Sequence, residues 1–340
     1  MIDLKKIIIV GSDHPAALEL IYMDILRKQG IQVQIFPAQT LFLQFYNRSL
    51  FHKIIYRLGL SLILNRIQAR LKQFIIAEKP TVVFVFKGME IKPKTLTWIK
   101  SQGILLYNYN PDHPFIFSGR GSGNQYVTKS VSLFDFYFSY ASDVVLELKK
   151  RGVKSNVIPF GFDSDGFEYI ELKKEDEIVK VCFLGNADKF RAQFINELAT
   201  LGLDIDVFGE NWNEYKMNTG VTIFSAKYGL DFWLTLQKYA VQLNLLRPHN
   251  YTTHNMRSFD IPGAGGIMLA PHTDDHARFF QDQSEVFLFQ DVDDAFRICH
   301  QVLGMTFEQR QQLRKAARIK ALNEHTYTHR FGSIIKCFEA

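Results

Sequence analysis

The stretch richest in residues able to do chemistry runs from Asn244 to Phe280, NLLRPHNYTTHNMRSFDIPGAGGIMLAPHTDDHARFF. An apolar run ends at Asn244–Arg247, a polar segment follows, and FDIPGAGGIML carries an acid, a proline and three glycines into another apolar run. That order predicts strand, loop, short helix, glycine turn, strand. Asp260 then stands at the start of the helix. Ionised, it only accepts hydrogen bonds, which suits the paired hydroxyls of a ribose, while Gly265 and Gly266 let backbone amides approach a phosphate. The alternative is a strand-to-helix connection with a solvated aspartate, and these residues alone leave both readings open.

Other groups stand at predicted strand ends. The turn Gly11, Ser12, Asp13, His14, Pro15 lacks a GxGxxG fingerprint, so a dinucleotide site is poorly supported there. Asp13 or His14 could face an acceptor as a base, or Asp13 could cap a helix. Asn110, Pro111, Asp112 and His113 close another strand, where Asp112 or His113 could activate a hydroxyl or simply form an Asx-Pro turn. Lys189 and Arg191 follow the strand-end pair Gly185 and Asn186 and open a helix, where cations oppose the macrodipole; a diphosphate would explain them. His272 and His276 have metal-ligand spacing but read as surface histidines beside a helix cap. No metal site is expected.

The elements that must position these groups follow from the apolar pattern. Lys5–Val10, Ala16–Gly30 and Ile31–Phe36 form a βαβ start, and TVVFVFKG, a helix over Pro93–Gly103 and ILLYNYN continue it. Leu41–Ile76 reads as two amphipathic helices broken at Gly59, and Phe115–Lys129 as a mobile glycine-rich loop that is no P-loop. VIPFGFDSDGF closes the first domain, the charged run Glu171–Glu177 is a solvated linker, and Ile178–Leu184 begins a second βα series.

Composition sets the bounds. The chain has 340 residues, 47% hydrophobic and 22% charged, enough for two globular domains. The apolar run near the N-terminus is too short for a signal peptide or a membrane span, and three scattered cysteines fit neither a disulfide framework nor a metal site. A cytoplasmic protein is expected. Residues 1–170 hold 21 Lys and Arg against 13 Asp and Glu, a net of +8, and the remainder nets −3. The basic, aromatic residues 42–100 either dock on anionic lipid at the inner membrane face or form the core face of their helices. No nucleic-acid motif accompanies the charge.

Taken together, Arg257, Ser258, Phe259, Asp260 and Gly265, the FGENW after Leu203–Phe208 and the ending HTYTHRFGSIIK resemble the CgeB-like (spore maturation protein) branch of the group 1 glycosyltransferases. The likeness runs from about residue 78 to the C-terminus. It implies an α/β GT-B fold, two Rossmann-like domains whose parallel sheets face across a cleft. It also implies an acceptor domain over 1–170, a donor domain over 171–325 and a terminal helix over 326–340 that returns to the first domain.

The implied reaction moves a sugar from a nucleoside diphosphate donor to a polysaccharide, glycolipid or protein acceptor, with no cofactor and no metal. Asp260 would hold the ribose. Arg191, Arg257, the amides of Gly265 and Gly266 and, more weakly, Arg247 would hold the diphosphate, joined by Gly185, Asn186 and Lys189, while Tyr228 and Gly229 would edge the base. The family carries two glutamates eight positions apart; here Asp260 takes the second place and Thr252 the first. That departure leaves a catalytically silent, nucleotide-binding subunit as the alternative, with a sugar-nucleotide epimerase third.

Overall fold

The computed structural model describes residues 6–15, 17–117, 121–247 and 252–339. The chain divides into two compact units, Met1–Pro159 with Arg330–Ala340, and Phe160–His329.

The first unit runs β1 (Lys6–Val10), α1 (Leu18–Lys28), β2 (Gln32–Phe36), α2 (Ala38–Tyr46), α3 (Leu50–Arg57), α4 (Ile63–Glu78), β3 (Val82–Phe86), α5 (Pro93–Ser101), β4 (Leu105–Asn110), α6 (Gln125–Ser130), β5 (Phe136–Ser139), α7 (Ser142–Lys150) and β6 (Ser155–Val157). All pairs are parallel, in the order β2-β1-β3-β4-β5-β6. Continuous apolar strands such as VVFVF are buried along their whole length, as a sheet covered on both faces requires. The chain leaves β1 for β2 on one side and returns to β3 on the other. The ends of β1 and β3 therefore flank a topological switch point, where open α/β sheets place ligands.

Two local expectations change. The two helices expected over Leu41–Ile76 are three, because Ser49 accepts the His52 amide and starts a new helix before Gly59. In the segment expected to be a mobile loop, Asn124 accepts the Tyr126 and Val127 amides and starts α6, while residues 118–120 lie outside the described residues.

The second unit runs β7 (Ile178–Leu184), α8 (Lys189–Thr200), β8 (Ile205–Phe208), β9 (Val221–Phe224), α9 (Gly229–Lys238), β10 (Tyr239–Leu243), α10 (Arg257–Ala264), β11 (Met268–Pro271), α11 (Asp274–Phe279), β12 (Phe287–Phe289), α12 (Val292–Leu303) and α13 (Phe307–Glu324). The last helix, α14 (Tyr327–Glu339), begins in this unit, and from Arg330 the chain belongs to the first. The sheet of the second unit is also parallel, in the order β12-β11-β10-β7-β8-β9. Here the switch point lies between β7 and β10.

The division at Phe160 falls ahead of residue 170 for identifiable reasons. The Phe160 amide donates to Nε2 of His254 at 3.2 Å, and Phe162 is bridged to Thr326. The charged run Glu171–Glu177 is not wholly solvated either. The Glu177 carboxylate is buried between Arg310 (2.6 Å) and Arg314 (2.7 Å) of α13. Burial alone would raise its pKa, but the hydrogen bonds from both arginines hold it below the ordinary value.

Candidate functional site

Three arginines and one buried aspartate gather at the switch point of the second unit. Asp188 caps α8 by accepting the Arg191 amide at 3.0 Å, which supplies the anion that a helix N-terminus favours. Arg191 itself is buried, and its guanidinium spans the crevice. Nε and Nη2 donate to the Leu245 carbonyl (3.2 and 2.9 Å), just past β10, and Nη1 donates to the Asn186 carbonyl (3.1 Å), just past β7. The residue is thus a tie between two strand ends as well as a cation, a structural reason for its place that the sequence did not supply. Burial pushes its pKa down to about 10; Asp188 pulls it back, and Arg247 and Arg257 press it further. Such mutual pressure among cations marks a site short of negative charge.

Arg257 opens α10, lies 4.2 Å over the Phe232 ring and pairs with Asp260 at 2.7 Å. Its Nε is buried without a partner among the described residues. The Asp260 carboxyl is buried and pushed up to about 6 by desolvation, against the pull of Arg257 and with Asp163 adding to the rise. Arg247 and Lys189 are exposed, Gly185 and Asn186 form the loop after β7, and Thr252 sits in an exposed turn.

The loop after β7 is pinned from several sides. Trp212 Nε1 donates to the Gly185 carbonyl at 3.0 Å, and Asn186 Oδ1 accepts the Glu210 amide at 3.1 Å. A Cβ on Gly209 would collide with the Gly185 carbonyl oxygen, so this glycine lets the ends of β7 and β8 close on each other. Gly209 was read from sequence only as part of FGENW, with no role of its own.

The role expected for Gly265 and Gly266 is corrected. Their amides donate to the carbonyls of Pro262 (2.9 Å) and Ile261 (2.8 Å), closing the C-terminal turn of α10 at the end opposite Arg257. Gly265 adopts φ +82, and a Cβ on Gly266 would collide with the Leu236 carbonyl. Those amides are spent inside the cap and do not face a phosphate. Tyr228 is exposed and Gly229 starts α9 with φ +55, so a side chain there would be strained.

Beneath α10 lies a buried polar network that sequence reading also missed. Ser258 Oγ lies 2.8 Å from His276 Nε2 and accepts from Asn244 Nδ2 at 3.1 Å, and Asn255 Nδ2 donates to Asn244 Oδ1 at 2.8 Å. His276 Nδ1 donates to the Pro271 carbonyl, and burial pushes the ring's pKa down to about 4, so it is neutral and structural. This network fixes where α10 begins, and with it Arg257 and Asp260.

In the first unit, the four predicted catalytic residues have defined surroundings. Asp13 accepts from Thr40 Oγ1 at 2.5 Å and does not cap α1, whose N-cap is Ala17; His14 is exposed beside it. Asp112 pairs with Lys87 Nζ at 2.6 Å. His113 Nδ1 accepts the amides of Phe115 (3.1 Å) and Ile116 (3.0 Å), and burial lowers its pKa. Its lone pair is therefore already used, which removes the feature a general base needs.

Of the aromatics expected on a lipid-facing surface, Phe42, Tyr46 and Tyr56 pack on one another at 4.8–5.6 Å. Phe51, also among those aromatics, points outward with Leu50, Leu58, Leu60 and Leu62, each 61–71% exposed and flanked by Arg48, Arg57 and Arg66. No acid occurs between Asp24 and Glu78. Among the described residues, no helix is long and apolar enough to cross a membrane.

Residues 191–336 match the model of a family described as glycosyl transferase-like. Among solved structures, the chain is similar to Anabaena HepE in complex with UDP and glucose (TM-score 0.63, 11% identity, 98% of this chain and 99% of that one). It is also similar to sucrose-phosphate synthase from Thermosynechococcus elongatus (0.67, 9%, 98% of each). A putative UDP-N-acetylglucosamine 2-epimerase from Listeria monocytogenes is similar as well (0.56, 12%, 94% of each). No curated protein matches. At these identities the likeness is one of fold: an α/β protein of two Rossmann-like units, the GT-B architecture, with glycosyl transferase-like sequence across most of the second.

Proposed function

We propose that the protein is a glycosyltransferase of the CgeB-like branch that takes its sugar from a nucleoside diphosphate donor held on the second unit. The observation that carries this reading is the convergence of Arg191, Arg247 and Arg257 with buried Asp260 at the β7–β10 switch point. Asp260 receives the ribose hydroxyls. Arg257, with its unpartnered Nε, and Arg247 hold the diphosphate and stabilise the charge that grows on it as the sugar leaves; Arg191 keeps the two strand ends at the right spacing and adds its field. With charge supplied by arginines, this reading requires no metal. Tyr228 edges the base.

The first unit takes the acceptor, a polysaccharide, glycolipid or protein. Its apolar, acid-free surface at Leu50–Leu62 docks on anionic lipid, placing a cytoplasmic protein at the inner membrane face. Thr252 in place of a glutamate favours a second reading, a nucleotide-binding subunit without turnover.

Calorimetric titration with UDP, GDP, TDP and ADP tests the donor site, and UDP is tried first because HepE is solved with it. One nucleotide should bind saturably, and Asp260→Ala should weaken it about tenfold or more, the worth of a charged hydrogen bond to a diol. A folded protein that binds none at millimolar concentration overturns the proposal. Binding without release of sugar from the matching nucleotide sugar favours the second reading.

A further inference from the structure

The first unit's own switch point holds a second buried acidic site. Beyond the carboxyl end of β1, an open groove of about 850 Å³ runs along Ser12, Asp13, Thr40 and Asn47. That is the size of small-molecule sites. A deeper pocket of about 110 Å³ lies at the ends of β1 and β3, lined by Phe86, Lys87, Glu90 and Pro111. Glu19 and Gln39 line both, so the two spaces adjoin.

The residues around the pocket make room for its carboxylates. Glu19 is on the buried face of α1, and its Oε1 accepts the Ser12 amide at 2.8 Å. A Cβ on Gly11 would collide with that oxygen, so the glycine after β1 leaves space for the carboxylate. Buried Gln68 clamps the backbone around Glu90, donating to the Glu90 carbonyl at 2.8 Å and accepting the Lys92 amide at 3.0 Å. Lys87, in a left-handed conformation at φ +56, divides its charge between Asp112 and the Gly121 carbonyl, both at 2.6 Å. Glu90 is 8% exposed and, among the described residues, its carboxylate has only its own amide as a hydrogen-bond partner. A buried carboxylate with nothing else to bind, facing a cavity, is set for a ligand that brings hydroxyls.

We propose that this pocket receives the acceptor, a hydroxyl-bearing molecule entering by the groove, and that Glu90 takes the proton from its attacking hydroxyl while Glu19 and Lys87 hold the neighbouring groups. This rests on the transferase reading given above. The acceptor oxygen forms a bond to the anomeric carbon of the donor. The bond from that carbon to the diphosphate breaks with its electron pair leaving on the diphosphate, and the proton passes to the Glu90 carboxylate and later to solvent. Burial pushes the Glu90 carboxyl up to about 7, its own amide and Lys87 pulling it down and Glu19 pushing it up, close to the optimum for a base at neutral pH. Among the described residues, Tyr56 also interacts with it electrostatically.

The test uses the full chain, Glu90→Gln and water as the probe acceptor. The nucleotide that binds is supplied as its diphosphate glucose, and glucose release is followed from pH 5 to 9. The wild type should lose rate below about pH 7, and Glu90→Gln should be slower by about a hundredfold or more, without that acid limb, at unchanged nucleotide affinity. A circular-dichroism spectrum and thermal midpoint matching the wild type show that the variant's first unit is folded. Equal rates, or a variant that keeps the acid limb, overturn the assignment of Glu90; a wild type that binds nucleotide but never releases glucose instead favours the subunit without turnover, and this inference falls with that outcome. Failure of every nucleotide to bind instead removes the donor reading, and this inference falls with it.

Discussion

Asp260 should make the folded protein less stable, and by a calculable amount. Its carboxyl titrates near 6 in the fold against an ordinary value of 3.8. A shift of about two units is worth about 3 kcal/mol, at about 1.4 kcal/mol per unit. The raised folded value means that the favourable contribution is fully present below pH 3.8, where both states hold the proton, and is lost as pH rises through 6. At pH 7 the wild type bears the full cost of an ionised buried carboxylate, reduced by Arg257. Asp260→Asn keeps the shape and removes the titration. Urea unfolding of both proteins at half-unit steps from pH 4.5 to 8 should show the stability difference, variant minus wild type, rising by about 1 kcal/mol per pH unit between pH 4.5 and 6 and then levelling. The plateau should stay under about 3 kcal/mol, because the neutral amide of the variant no longer balances the Arg257 charge. A pH-independent difference, or a variant that loses stability relative to the wild type as pH rises, refutes the reasoning. A stabilised Asp260→Asn that no longer binds nucleotide would identify the aspartate as a residue kept for ligand rather than for fold.

Two further outcomes follow from charges and surfaces away from that site. Glu177→Ala leaves Arg310 and Arg314 buried without their anion and should lower stability by about 3–5 kcal/mol in denaturant titration. Because the folded pKa of Glu177 is depressed, the wild type's advantage should be present above the ordinary glutamate range and vanish as pH falls through the folded value. On the first unit, Leu58→Glu with Leu60→Glu should reduce sedimentation with anionic phospholipid vesicles by about tenfold or more, given about 1.5 kcal/mol or more per buried leucine. Wild-type binding should weaken with salt, and equal binding by both proteins would exclude this surface.

The sheets were readable because their signal is local. KIIIV, VVFVF and IVKVCFL are apolar runs bounded by glycine or proline, and such runs become strands wherever they pack. The 2.7 Å contact of Arg257 with Asp260 follows from a spacing of three on a helix, which puts both on one face, though the sequence reading did not draw that pairing. Contacts made at long range were not readable. Nothing near Arg191 indicates that its guanidinium would reach the Leu245 carbonyl, 54 residues on, and nothing near Glu177 points to α13. Gly265 and Gly266 were misread because a glycine pair serves equally to close a helix or to approach a phosphate. The hydrogen bonds of the glycine amides decide which, and these are tertiary facts. Glu19 carried a legible signal that went unused: it shares the apolar face of α1 with Leu18, Tyr22 and Leu26, where an unpaired acid is costly unless it has work to do.

The two switch points share a topology and differ in charge, and the difference fits the two halves of a substitution. At β7–β10, Arg247 and Arg257 both press on buried Arg191, so the crevice favours an incoming anion. In the proposed reaction, a departing diphosphate would supply that negative charge. At β1–β3, Glu19 and Glu90 outnumber Lys87, whose charge Asp112 already shares. In the proposed reaction, an attacking hydroxyl would bring that crevice a proton. Burial sharpens both imbalances, because a charge out of water interacts more strongly with whatever ligand arrives. Exchanging the imbalance at either end should therefore stop transfer without disturbing the sheets. Arg257→Glu should abolish nucleotide binding, and Glu90→Lys should leave it intact while ending turnover; if the two variants lost the same property, the division of labour between the crevices would be wrong.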